Sequence, residues 1–216
     1  MKTKALLLAL TTSALALGAQ AQTTFGLRAG VNLQNINGKE YDGSDTDNKL
    51  KTGFNIGVNA EIPVAPDFYV QPGVLFTTKG AKSKDDDDIK INLSYIEVTI
   101  NFLFKPTLGA GKLLLGVGPY IAFAIGGKYT DQNDKDHTFK FKNEISAADY
   151  LTGNPYAKRI DAGGNLLAGY ELSSKLSFQL NAQLGMVKIN PKITGVSNDK
   201  TKYKNTGFGI SIGYRF

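Results

Sequence analysis

The feature that most constrains this chain is a two-residue alternation that returns eight times. In the first stretch, Phe25, Leu27, Ala29, Val31 and Leu33 share one face, while Gly26, Arg28, Gly30, Asn32 and Gln34 share the other. Period two is the mark of a β-strand with a different environment on each side. The same split recurs over residues 53–62, 68–78, 95–105, 113–126, 160–170, 176–186 and 206–216. No helical period of useful length competes with it, except inside one loop. The stretches are also long enough to cross a bilayer, which takes about 9–11 residues per tilted strand.

The polar face decides which side meets water. A soluble sandwich or lipocalin hides its apolar face and exposes Lys, Glu and Thr. Here the polar face is Gly, Asn, Gln and Ser, with Arg28, Glu61, Glu97, Asp161 and Arg215 as its only charges and no lysine in the strand interiors. Small and amide residues with a few opposed charges describe a narrow polar interior, and the apolar face then turns to lipid. The fold predicted is all-β: an eight-stranded antiparallel up-and-down transmembrane β-barrel with long extracellular loops. Connections 36–51, 79–90, 128–159 and 188–204 are long, and 63–67, 105–112 and 171–175 are short, the asymmetry between outer loops and periplasmic turns. An even strand number places both termini on the periplasmic side.

Aromatic residues gather near that end: Phe25, Phe68, Phe104, Tyr170, Tyr214 and Phe216 form an interfacial girdle. Two irregularities stand out. Ile91 and Leu93 are out of phase with Ile96 and Val98, which predicts a bulge or a strand start near Ser94. Pro72 and Pro119 fall inside strands, which predicts bulges or edges there.

Residues 1–21 read as an export signal: Lys2 and Lys4, an apolar run from residue 5 to 17, and the small-residue cleavage site Ala19-Gln20-Ala21. The mature chain then begins at Gln22, and residues 22–216 form one barrel domain in a bacterial outer membrane. The formal charge of +6 is no nucleic-acid signal. The four long loops hold 18 Lys/Arg and 14 Asp/Glu, and the rest of the mature chain is balanced at 5 and 5. With no cysteine and one histidine, thiolate metal sites, cysteine nucleophiles and His-rich centres are excluded. No cofactor, metal or catalytic residue is assigned.

At this point the chain resembles the small outer-membrane β-barrel proteins of the Bacteroidetes type, called porin-family or PorT-like. The resemblance spans the mature chain. It is carried by Phe25-Gly26-Leu27-Arg28-Ala29-Gly30-Val31-Asn32, Leu93-Ser94-Tyr95-Ile96-Glu97-Val98, Gly116-Val117-Gly118-Pro119-Tyr120, Ala168-Gly169-Tyr170-Glu171-Leu172 and Gly213-Tyr214-Arg215-Phe216. Thr99 stands where the family usually has proline. The resemblance implies a barrel and names no activity. It also implies that the terminal aromatic strand, with Tyr214 and Phe216, is read by the barrel-insertion machinery.

Among candidate sites, Arg28, Glu61, Glu97, Asp161 and Arg215 read as a charge network plugging the lumen, with a gated ion path as the alternative. The acidic run Asp85-Asp86-Asp87-Asp88 lacks the interleaved Gly and distal Glu of a calcium loop and reads as a solvated charge run. His137 has no fixed partner in sequence. The third loop carries a short helical stretch over residues 144–151, and Phe139, Phe141, Tyr150 and Tyr156 offer it aromatic surface. The function expected is non-enzymatic: a surface protein acting through its loops in adhesion or envelope integrity. A small channel and an accessory barrel of type IX secretion are the alternatives. Expected partners are outer-membrane lipid and lipopolysaccharide, the insertion machinery and an unidentified extracellular or periplasmic partner, with no nucleic acid.

Overall fold

The computed structural model describes residues 23–86, 88–196 and 199–216, so the signal segment over residues 1–21 lies outside the described residues. Eight long strands make the wall: β1 (Thr24–Lys39), β2 (Lys51–Ala65), β3 (Phe68–Ser83), β4 (Lys90–Phe104), β5 (Gly111–Thr130), β6 (Ile160–Glu171), β7 (Leu176–Gly185) and β8 (Lys202–Arg215). Each pairs antiparallel with its sequence neighbour. β8 pairs with β1 from Gly26↔Arg215 to Lys39↔Lys202 and closes the sheet. Closure gives every strand two neighbours, the condition for a sheet to cross lipid.

The strands are strongly staggered. A row of partners that begins at Gly26 runs through Asn59, Gly73, Thr99, Tyr120, Gly163 and Gly185. Gly185 lies against Asn205, which pairs with Ile36, so the row returns ten residues above its start. Such a stagger tilts the strands and sets the girth of the barrel. It also crowds the inner face: a Cβ on Gly118 would stand 2.0 Å from the Ile100 carbonyl oxygen, so only glycine fits.

The outer face is apolar and exposed, with Leu27, Val31, Phe54, Ile56, Val117, Leu166, Leu180, Phe208 and Ile210 directed away from the protein. At the periplasmic rim Phe68 stacks on Phe104 at 4.8 Å between ring centroids, and Tyr214 meets Phe216 edge-on at 5.6 Å. Among the described residues no helix is long and apolar enough to cross a membrane, and the strands do the crossing. A closed hydrogen-bonded wall resists detergent, so unboiled and boiled protein should run at different positions in SDS gels. A single position for both would contradict the closed barrel.

Three local expectations need correction. First, several strands reach further outward than the alternation suggested: β1 continues to Lys39, β3 to Ser83 and β5 to Thr130, while β4 starts at Lys90 and β8 at Lys202. Above the membrane both faces meet protein or water, so the in–out contrast that marks a strand fades.

Second, the irregularity expected near Ser94 falls at Ser94/Tyr95 in the β4–β5 ladder, but its extra residue is on β5. The β3–β4 ladder runs unbroken from Lys82↔Lys90 to Phe68↔Phe104. The register shift falls between β4 and β5, where Ser94 faces Gly126 and Tyr95 faces Ala124, leaving Ile125 as the extra residue. Ile91 and Leu93 are inward residues of a continuous strand that fill the outer mouth of the barrel.

Third, Pro72 and Pro119 sit at neither bulges nor edges. Each lies where one ladder lapses, between Asn59↔Gly73 and Ile62↔Val70 for Pro72, and between Thr99↔Tyr120 and Phe102↔Val117 for Pro119. The missing N–H explains the lapse.

Candidate functional site

The lumen holds two charge clusters, each centred on a lysine that is not among the five charges assigned to the lumen from sequence: Lys79, in the predicted connection 79–90, and Lys105, at the end of the predicted stretch 95–105. Lys79 of β3 continues the inward phase of Leu75 and Thr77. Its ammonium lies 2.9 Å from Glu97 Oε2 and 3.1 Å from Asp161 Oδ2, and it stands 4.1 Å from the centre of the Tyr120 ring. Tyr120 Oη donates to Asp161 at 3.3 Å, Asn205 Nδ2 donates to the same carboxylate at 3.0 Å, and Gln183 Nε2 donates to Glu97 Oε1 at 2.6 Å. Asp161 is 0% and Lys79 1% exposed.

The second cluster lies toward the periplasmic end. Lys105, one residue past β4, reaches Glu61 and Glu171, each at 2.8 Å. Arg215 of β8 pairs with Glu61 and donates to Asn59 Oδ1 at 2.7 Å. Glu171, placed in a turn by the sequence reading, is the last residue of β6. A layer of Leu103, Leu114 and Leu167 packed against Tyr69 adjoins it.

Arg28 stands apart from both clusters. It donates to Asn181 Oδ1 at 3.2 Å. It lines a cavity of about 30 Å³ with Asn32, Gln34, Asn55, Glu97, Asn165, Asn181 and Gln183. The five charges proposed from sequence thus fall into three places: Glu61 with Arg215, Glu97 with Asp161, and Arg28 between. With Lys79, Lys105 and Glu171 the lumen carries four basic and four acidic side chains among the described residues. The much larger concavity, about 1030 Å³, is the apolar waist on the outside, lined by residues such as Val117, Leu166, Leu180 and Phe208 that face lipid.

The outer mouth is closed by folded loops. Ile36, Ala81, Leu93, Tyr95, Tyr120, Ala122, Ala124 and Ile189 form a buried cluster, with Ile91, Phe139, Phe141 and Tyr203 packed on it. Segment Asp136–Thr138 extends the β5 ladder, Lys140–Phe141 runs parallel to Tyr156–Ala157, and Glu144–Ser146 runs parallel to Lys192–Thr194. The third and fourth outer loops are therefore one cap.

Helix α1 (Ala147–Leu151) sits in this cap. Its N-cap Ser146 and Asp149 bond each other's backbone N–H at 3.0 and 3.2 Å, a reciprocal capping box. The Ser146 N–H, aided by Lys142, holds the Asp149 carboxyl below the usual carboxylate range. Of the aromatics expected to form a partner surface, Phe139 and Phe141 pack inward and Tyr156 is half-buried, because the barrel mouth below them is itself apolar. Tyr150 remains 61% exposed and Leu151 84%.

His137 has a partner the sequence did not disclose: its Nε2 lies 2.9 Å from Asp131 Oδ2, and this contact lowers the Asp131 carboxyl. Of the acidic run, Asp86 Oδ1 accepts from the Asp88 N–H at 2.9 Å, and Asp87 lies outside the described residues. Among the described residues no group of three or more His, Asp or Glu side chains is arranged to hold a metal. At the seam the Phe216 N–H donates to the Phe25 carbonyl at 2.8 Å.

A closed strand wall with an apolar outside and an ion-paired inside defines an integral β-barrel of the bacterial outer membrane. The chain belongs to the outer membrane protein beta-barrel domain family, whose model matches residues 19–190. Comparison with curated proteins gives no match. Among solved structures it is similar to Ail, the attachment invasion locus protein of Yersinia pestis, in complex with the heparin analogue sucrose octasulfate. The identity is 16%, over 90% of this chain and 99% of that one, with a TM-score of 0.43. It is also similar to neisserial surface protein A, at 14% identity over 89% and 97% of the two chains and a TM-score of 0.47. OprG from Pseudomonas aeruginosa gives 14% identity over 91% and 97%, with a TM-score of 0.47.

Proposed function

We propose that this protein is a non-enzymatic surface barrel that acts through its folded extracellular cap, in adhesion or envelope integrity, rather than through its lumen. The observation that supports this reading is the contrast between the two ends of the site. The lumen is crossed at two levels by paired, buried charges, while the cap presents Tyr150 and Leu151 on a capped helix. Holding two apolar side chains in water on an ordered element favours a protein partner.

In this reading the chain is exported by residues 1–21 and belongs to the Bacteroidetes-type, PorT-like branch of the family. Tyr214 and Phe216 serve as its assembly signal, and lipopolysaccharide surrounds its outer half. A type IX secretion role is the second reading, carried only by that branch resemblance.

Two measurements test the proposal. Reconstituted protein in planar bilayers should show no steady conductance, and large uniform channels would promote the channel alternative. Cells displaying Y150S/L151S should lose most of the surface attachment seen with the unaltered protein while keeping its heat-dependent gel shift. Undiminished attachment would remove the cap helix from the function.

A further inference from the structure

We propose that Lys51, Lys82 and Lys90 form a binding site for the phosphate groups of an outer-leaflet glycolipid. The three residues sit at the outer ends of β2, β3 and β4. Lys82 and Lys90 are direct partners across the β3–β4 ladder. Lys51 reaches over β3 at Gly80, the partner of Asn92, and its ammonium donates to Asn92 Oδ1 at 3.2 Å. The charges of Lys82 and Lys90 bear directly on Lys51.

Like charges placed opposite each other destabilise a ladder. Elsewhere on this rim the problem is solved internally: Lys84 pairs with Asp47 at 2.5 Å and Lys128 with Asp136 at 2.8 Å. Among the described residues no carboxylate pairs with Lys51, Lys82 or Lys90. Three ammonium groups so placed match the charge of a multivalent anion.

Position identifies the anion's source. Lys82 and Lys90 lie on the outward phase of their strands, above Val74, Phe76 and Ile96 of the lipid-facing band. Lys51 starts from the inward phase of β2, with Gly53 and Asn55, but its ammonium crosses to Asn92 on the outward phase of β4, the phase of Lys90 and Ile96. Lysine stems lie along apolar surface and hold their heads at the level of lipid headgroups. Charge and continuity with the band both favour a lipid-anchored phosphate. This inference rests on the outer-membrane placement and on the proposed lipopolysaccharide environment, and it is independent of the adhesive reading of the cap.

The test uses the full chain in phosphatidylcholine vesicles containing either phosphorylated or dephosphorylated lipid A. Lipid retained after detergent extraction is measured by mass spectrometry. The unaltered protein should retain the phosphorylated form preferentially. K51Q/K82Q/K90Q should lower that retention about tenfold or more, with K51R/K82R/K90R preserving it. The heat-dependent gel shift reports that each variant is folded. Equal retention by the Gln variant, or equal loss by the Arg variant, would overturn the proposal. Displacement of the lipid by an equal concentration of inorganic phosphate would assign the site to a soluble anion and overturn its lipid source. Loss of attachment in Y150S/L151S with retention unchanged would leave this site standing, so the two readings fail separately.

Discussion

Lys79→Met should destabilise the folded barrel by about 3–5 kcal/mol, the usual cost of removing one partner from a buried ion cluster. The reason is the pair of carboxylates left behind. Glu97 and Asp161 both depend on the Lys79 ammonium, at 2.9 and 3.1 Å, and neither side chain reaches water. The amide and hydroxyl donors around them, Gln183, Asn205 and Tyr120, satisfy oxygens and supply no positive charge. Replacing all three charges, as K79M/E97Q/D161N, should recover most of the loss, because the amides keep their hydrogen-bond partners and no charge remains to be desolvated. Urea titration of the three proteins in detergent micelles measures the difference. A single variant as stable as the unaltered protein would show that water reaches this level of the lumen, and would reopen the channel alternative.

Deleting Phe216 should lower the membrane-inserted yield in cells far more than the stability of the finished barrel. The ring is 59% exposed, touches Tyr214 edge-on, and lies at the interface where lipid covers it. The deletion removes one seam hydrogen bond, from Phe216 to Phe25, at the end of a ladder that runs fourteen pairs from Gly26↔Arg215 to Lys39↔Lys202. A single net hydrogen bond contributes about 1 kcal/mol. F216A keeps that bond and isolates the ring. Inserted yield in cells and urea midpoints in detergent should therefore diverge for both variants. Normal yield would refute a recognition role, and matching losses in both assays would make Phe216 a packing residue.

The barrel was legible in the sequence because a membrane forces contrast. Within the bilayer each residue is either in lipid or in the lumen, so Phe25 to Gln34 spells out both faces. Above the bilayer that contrast ends, and strand limits blur. This is why Lys79 was read as a loop residue, although Gln71, Gly73, Leu75, Thr77 and Lys79 form one unbroken inward phase. Glu171 is hidden in the same way at the periplasmic end, while Lys105 closes the alternating stretch 95–105 without standing out as a lumen charge. The five charges placed inside are all buried, and their grouping is beyond the reach of the sequence, since partners as distant as Glu61 and Arg215 meet only through the tilt and stagger of the wall. The pairing of His137 with Asp131 and the fusion of two loops into one cap depend on backbone geometry that carries no periodic signal.

The reach of the ion pairs also bears on how the chain travels. Lys79 meets Asp161 from β6, and Arg215 meets Glu61 across the seam strand β1, so neither contact exists in any single hairpin. Until the last strand finds the first, these side chains lie open on a half-formed sheet. An open sheet bearing naked carboxylates and ammonium groups is repelled by hydrocarbon. The same residues that fill the finished lumen thus keep the unfinished chain hydrated during its passage to the membrane. They make entry into lipid conditional on closure, a checkpoint written into the inner wall.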